Sequence, residues 1–355
     1  MEKEINVQEK VIKSVKRIIL IVSVTLGLIA LVSGLFFLDP KKNESLLVSS
    51  DTHETSSNPP LKEEVLWRAP DTTSIPHGKD GSLIRYGREL IAHTSYYLGP
   101  HGKVLKISNG MNCQNCHLDA GTKPFGNNYS AVASTYPKIR PRSGTKETIE
   151  KRVNDCFERS LNGQALKEDS HEMKAIVAYI KWLGADVPKG ENPKGSGLVE
   201  LPFIDRPASP EKGKILYEKK CVVCHGTNGQ GLGNSEGSGW TYPPLWGDKS
   251  YNIGAGLYRL SRFAGYIKAN MPLGTTYDSP QLTDEESWDI AAYINSLPRP
   301  SKDISKDWPD ISKKSFDHPF GPFTDGLDEK QHKYGPFKPI VDKRKELIRS
   351  KQEAK

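Results

Sequence analysis

The pentapeptide Cys113-Gln114-Asn115-Cys116-His117 recurs in kind at Cys221-Val222-Val223-Cys224-His225. No other feature constrains the fold as tightly. Two thiols three positions apart lie on one helical turn and can form thioethers to both vinyl groups of one haem. The adjoining histidine then reaches the iron. A zinc knuckle would want two further ligands at short spacing, and a redox disulfide does not require the histidine. Two copies therefore predict two covalently bound haem c groups, attached at Cys113, Cys116, Cys221 and Cys224, with His117 and His225 as iron ligands.

The flanking segments repeat as well. GSLIRYGRELIAHTSYYLG (81–99) precedes the first motif, and PEKGKILYEKKC (210–221) leads into the second. Downstream, AIVAYIKWLGADVP (175–188) matches DIAAYINSLPRP (289–300), with Ala178-Tyr179-Ile180 and Ala292-Tyr293-Ile294 at their centres. Ile176, Val177, Ile180 and Leu183 follow helical spacing, as do Ile290, Ala291, Ile294 and Leu297. Glycine or proline closes each helix. A haem motif between an N-terminal and a C-terminal helix is the layout of a small cytochrome c, and the period is too long for a solenoid. The predicted fold class is all-α, with two tandem cytochrome c-type domains at 81–188 and 210–300. Residues 189–209, rich in Pro, Gly and Lys, form the linker. Residues 301–355 carry no haem motif and read as an extended strap over the two domains.

Ahead of the domains, residues 18–38 are 21 residues without a charge. That length spans a hydrocarbon core of roughly 30 Å as a helix. Asp39-Pro40-Lys41-Lys42 follows directly, without a small-residue cleavage site, so an uncleaved anchor is expected. Lys10, Lys13, Lys16 and Arg17 assign residues 1–17 to the cytoplasm. Residues 39–80, rich in Ser, Thr, Pro, Lys and Glu, read as a tether. The expected location is the cell inner membrane, single-pass, with the haem domains in the periplasm. The net charge of +7 is spread along the chain without a dense basic run, which argues against a nucleic-acid partner.

Each iron needs a sixth ligand. For the second haem, Met271 in Asn270-Met271-Pro272 lies just before the last helix, where such ligands usually sit. Histidine–methionine ligation raises the reduction potential. For the first haem the matching position holds Cys156, the cysteine left over from the two pairs. Met173 and His171 compete but sit at the start of the following helix, and an inert buried thiol is the plain alternative. A helix capped by Thr145 and ended by Asn162-Gly163 would turn Ile149, Val153, Cys156 and Phe157 inward and put Arg152, Cys156 and Ser160 on one face. A nearby cation favours thiolate over thiol, and thiolate ligation stabilises ferric iron. A thiol able to leave the iron could react with a sulfur compound. Arg140 and Arg142 lie upstream, and arginine's planar fork suits sulfur oxyanions. Arg142 with Arg152 could hold a doubly charged anion.

These residues in this order resemble the thiosulfate dehydrogenases, dihaem c-type cytochromes that interconvert thiosulfate and tetrathionate. The resemblance runs from about residue 80 to 300, and its most specific part is RVNDCFERSLNG around Cys156. It implies His117/Cys156 ligation of an active-site haem 1 and His225/Met271 ligation of an electron-transferring haem 2. It also implies Arg142, Arg152 and Ser160 as substrate contacts. Some relatives carry Lys immediately before the ligand methionine, able to replace it. Here that residue is Asn270, with Lys268 close by. The implied partners are thiosulfate, tetrathionate, and a periplasmic cytochrome or membrane electron carrier. Two other classes fit the haem motifs: a tethered electron shuttle without a substrate, and a different dihaem sulfur-oxidation enzyme or peroxidase. A peroxidase would want a calcium site between domains, and no acidic cluster suggests one.

Overall fold

Both haem motifs are framed by the same helix crossing, made from the repeated segments. The computed structural model describes residues 15–17, 19–21, 23–25, 65–235 and 237–353. In the first module α1 (Gly78–Ala92) packs on α3 (His171–Leu183), with α2 (Ile149–Arg159) between them in sequence. In the second, α4 (Pro210–Lys220) packs on α6 (Asp284–Ser296), which also meets α5 (Leu260–Asn270). A final helix, α7 (Phe337–Glu353), follows. Glu63–Lys355 forms one compact unit, so the two modules share an interface.

The helices start where their side chains supply the missing acceptors. Ser170 accepts from Met173 N ahead of α3, and Ser209 from Lys212 N ahead of α4. Thr283 and Glu286 form a reciprocal capping box on α6. Met173, Ile176, Val177, Ile180 and Leu183 then bury one stripe of α3 in the first core. Trp288, Ile290, Ala291 and Ile294 do the same for α6 in the second. Glycine permits both crossings. A Cβ on Gly87 would come within 2.0 Å of Ala175 O, and one on Gly213 within 1.9 Å of Asp289 O. The next neighbours are Tyr179 and Tyr293, the tyrosines of the repeated Ala-Tyr-Ile.

Three expectations are corrected. The Cys156 helix begins at Ile149, capped by Thr148 rather than Thr145. Thr145–Glu147 (β2) instead pairs antiparallel with Lys138–Arg140 (β1) in a short hairpin. A second two-stranded ladder joins Leu232–Gly233 (β3) and Trp240–Tyr242 (β4), so the fold is mainly but not wholly helical. Residues 65–80, read as the end of a tether, are packed: Trp67 is 7% exposed and donates its backbone N–H to Lys194 O, and Ile75 joins the first core. Most of 18–38 and all of 39–64, the predicted anchor and the rest of the tether, lie outside the described residues. Among the described residues no helix is long and apolar enough to cross a membrane.

The segment after residue 300 touches both modules. Trp308 N donates to Arg142 O at 2.7 Å, and Asp307 pairs with Arg159. Further on, Phe337 and Ile340 of α7 complete the second core.

Candidate active site

The two motifs each open onto a cavity with the donor set of a c-type haem site. The first, of about 380 Å³, is bordered by Cys113, Cys116, His117 and Cys156 against an apolar wall that includes Phe157 and Ile176. The second, of about 450 Å³, is bordered by Cys221, Cys224, His225 and Met271. All five cysteines are free of disulfides. Each histidine has one ring nitrogen occupied: Nδ1 of His117 bonds Asn127 O, and Nδ1 of His225 bonds Pro243 O at 3.0 Å. A carbonyl can only accept, so Nδ1 carries the proton and Nε2 keeps its lone pair for a metal. Burial pushes His117 down to about 4 and lowers His225 as well, so both rings are neutral at physiological pH. These residues fit covalent haem at both motifs.

The three sequence candidates for haem 1 separate in space. Cys156 borders the first cavity. Met173 is fully buried in the core and is not among the cavity's lining residues. His171 is exposed and stacks on Tyr86 with ring centroids 5.3 Å apart. The helix that carries Cys156 also carries its partner: Arg152 Nη1 donates to Cys156 Sγ at 3.1 Å. The sulfur holds the Arg152 guanidinium well above its usual range, against the opposing effect of burial. Ile149 and Phe157 face inward on the same helix and are buried. The helix ends as Ser160 and Leu161 both donate to Cys156 O, with Asn162 at φ +42° turning the chain away.

Next to the first haem cavity lies a polar one of about 240 Å³. Cys156 and Ser160 border it, with Arg140, Arg142 and Arg152 from the first module. Arg142 donates to Gly254 O at 3.3 Å. Burial, with Arg159 and Arg152 close by, pushes Arg142 down to about 10, so it remains a cation at neutral pH. Arg140 is partly neutralised by Glu147, at 3.7 Å. The second module supplies two more cations that nothing in the sequence marks. Arg259 immediately precedes α5 and Arg262 lies in its first turn, and both border the cavity. Arg152, Cys156 and Ser160 therefore border one cavity, together with Arg142 from the loop joining β1 to β2.

At the second cavity Met271 follows α5 directly and lines the wall with His225. Lys268 is engaged elsewhere: Nζ pairs with Asp284 at 2.7 Å and donates to Leu282 O at 2.8 Å. Asn270 donates to Phe125 O and Tyr266 O at 3.1 and 3.0 Å. Cys116 borders both haem cavities and the polar one.

Two covalent-haem modules of this architecture, sharing one compact unit, define a dihaem c-type cytochrome. The SoxA/TsdA cytochrome c domain family matches residues 104–188, and the cytochrome c family matches 210–298. A thiosulfate dehydrogenase of Psychrobacter arcticus is 39% identical over 273 residues, covering 76% of this chain and 78% of that protein. One from Allochromatium vinosum is 36% identical over 240 residues, covering 66% and 85%. The solved as-isolated structure of thiosulfate dehydrogenase (TsdBA) from Marichromatium purpuratum aligns with a TM-score of 0.61 at 33% identity, covering 67% of this chain and half of that one. The chain belongs to the thiosulfate dehydrogenase family.

Proposed function

We propose that this protein interconverts thiosulfate and tetrathionate, 2 S₂O₃²⁻ ⇌ S₄O₆²⁻ + 2 e⁻, at Cys156. The observation that carries the reading is the Arg152 Nη1–Cys156 Sγ contact of 3.1 Å, at the meeting of a haem cavity and an arginine-lined one. Haem supplies one-electron acceptance at each of two irons, and an external carrier takes the electrons onward. His117 and Cys156 would hold the iron of haem 1, and His225 and Met271 that of haem 2. Thiolate ligation lowers a potential and methionine raises it, so electrons run from the first site to the second.

The residues divide the chemistry between them. Arg152 donates to the Cys156 sulfur and, with Arg142 and Ser160, binds the sulfonate oxygens of the incoming dianion. Cys–S⁻ and S₂O₃²⁻ give Cys–S–S–SO₃⁻ and two electrons. A second thiosulfate attacks the outer sulfane sulfur, releasing S₄O₆²⁻ and restoring Cys–S⁻. Both steps balance in sulfur and charge, and each brings like charges together. That is the repulsion the arginines offset.

Residues 18–38 would hold the chain in the inner membrane, with the haem domains in the periplasm beside a cytochrome or membrane carrier. Deletion of residues 1–38 should then move the protein from the membrane to the soluble fraction. The reaction itself is tested by steady-state turnover with thiosulfate and an artificial acceptor, and with tetrathionate and a reduced donor. Turnover in at least one direction is expected, and none in either would sink the reading. Cys156→Ala should keep both haems, lose turnover, and lose the low-spin thiolate signal in electron paramagnetic resonance.

A further inference from the structure

The polar cavity has two walls, and the function proposed above uses only one. Arg142, Arg152 and Ser160 belong to the first module. The second module contributes the stretch that runs through Gly256 and Leu257 into α5. Of its two arginines, Arg259 is already neutralised. Its Nε and Nη2 both reach Asp317 at 2.7 Å, and the same carboxylate accepts from Ser261 N at 3.1 Å. Asp317 is fully buried and held below the usual carboxylate range by Arg259 and Ser261, despite the burial. It thus remains a permanent counter-ion for Arg259.

Arg262 differs. It is partly buried, it borders both the haem 1 cavity and the polar cavity, and it has no ion pair or side-chain hydrogen bond among the described residues. Burial and the neighbouring Arg259 lower its pKa, against the opposing pull of Glu200 and Asp317, neither of which pairs with it directly. A partly buried guanidinium without a partner costs stability unless something anionic completes it. Its place in the first turn of an eleven-residue helix adds the partial positive charge of the helix terminus. Positive charge from two modules therefore converges on one space beside Cys156.

Resting on the thiosulfate reading, we propose that Arg262 is the anchor of a second anion subsite, which holds one sulfonate group while Arg142 and Arg152 hold the other. In the forward direction this subsite takes the second thiosulfate and aims its terminal sulfur at the sulfur already on Cys156. In the reverse direction it takes the distal sulfonate of tetrathionate. The ligand class is a sulfur oxyanion dianion or the sulfonate end of a longer one. The second half of the site thus comes from the domain that otherwise carries electrons.

The test uses the haem-loaded protein, with Arg262→Gln, Arg262→Lys and, as a charge control, the exposed Arg88→Gln. Half-saturating concentrations of thiosulfate and of tetrathionate should rise about ten- to hundredfold in Arg262→Gln, with a smaller change in the limiting rate. Arg262→Lys should recover part of the loss, and Arg88→Gln should match the wild type. Calorimetric titration of the oxidised protein with sulfate, a redox-inert dianion, should show two binding events in the wild type and one in Arg262→Gln. Unchanged half-saturation together with an unchanged sulfate isotherm would overturn the proposal. If the wild type binds two sulfates, loses one with Arg262→Gln, and never turns over thiosulfate, the subsite stands and the assigned reaction falls.

Discussion

Cys156 has a guanidinium rather than a thiol as its nearest polar neighbour, and its chemistry depends on that contact. Arg152→Gln keeps most of the side-chain length and removes the cation 3.1 Å from the sulfur. A hydrogen bond to a charged group is worth about 1.5–3 kcal/mol, so catalytic efficiency should fall on the order of ten- to hundredfold. Both haem spectra should stay near those of the wild type in folded protein. Normal efficiency in steady-state assays of this variant would remove Arg152 from the site. At the other cavity, Met271→Gly should lower the haem 2 potential in a redox titration and leave the thiolate signal untouched. Lys268, two residues before Asn270, is engaged by Asp284 and Leu282 O. Cys156 was legible because four of the five cysteines are claimed by two motifs and because helical spacing couples positions 152, 156 and 160. Arg262 was not, because proximity across a domain interface leaves no periodicity to read.

Among the elements, the two helix crossings carry a prediction about sign. Alanine normally stabilises a helix interior relative to glycine by roughly 0.5–1 kcal/mol. At Gly87 and Gly213 the added methyl would meet a backbone carbonyl at 2.0 and 1.9 Å, and a main chain cannot yield as a side chain can. Overpacking of this kind costs about 1–3 kcal/mol, so Gly87→Ala and Gly213→Ala should each lower the thermal midpoint. A rise in either midpoint would show that the crossing can open without penalty. The long helices were readable from apolar spacing and from the doubled Ala-Tyr-Ile. The boundary of α2 was not, because β1 and β2 are three residues each, too short for alternation to register. Thr145 and Thr148 are both adequate caps, and pairing of Thr145 with Arg140 in the hairpin decides between them.

Across the whole molecule, the segment beyond residue 300 braces the site from outside. Asp307 receives both Nη atoms of Arg159 at 2.8 Å, and both partners are nearly buried. Arg159 and Arg142 each donate to Gly254 O, and Trp308 N holds Arg142 O. Removing one partner of a buried pair costs about 3–5 kcal/mol because the other charge is stranded. Asp307→Ala should therefore lower stability and raise the half-saturating thiosulfate concentration, while the haem 2 potential remains at its wild-type value. A shifted haem 2 potential would mean that the brace acts on the second module instead. The lack of a haem motif and of apolar periodicity made this segment read as strap, and nothing local indicated that it touches Arg142. The polar cavity, meanwhile, draws its lining from both modules. The two halves are therefore not interchangeable parts. On the proposed reading, a hybrid that joined one relative's catalytic half to another's electron-carrying half would pair two linings that were never fitted to each other and should bind the anion less tightly than either parent.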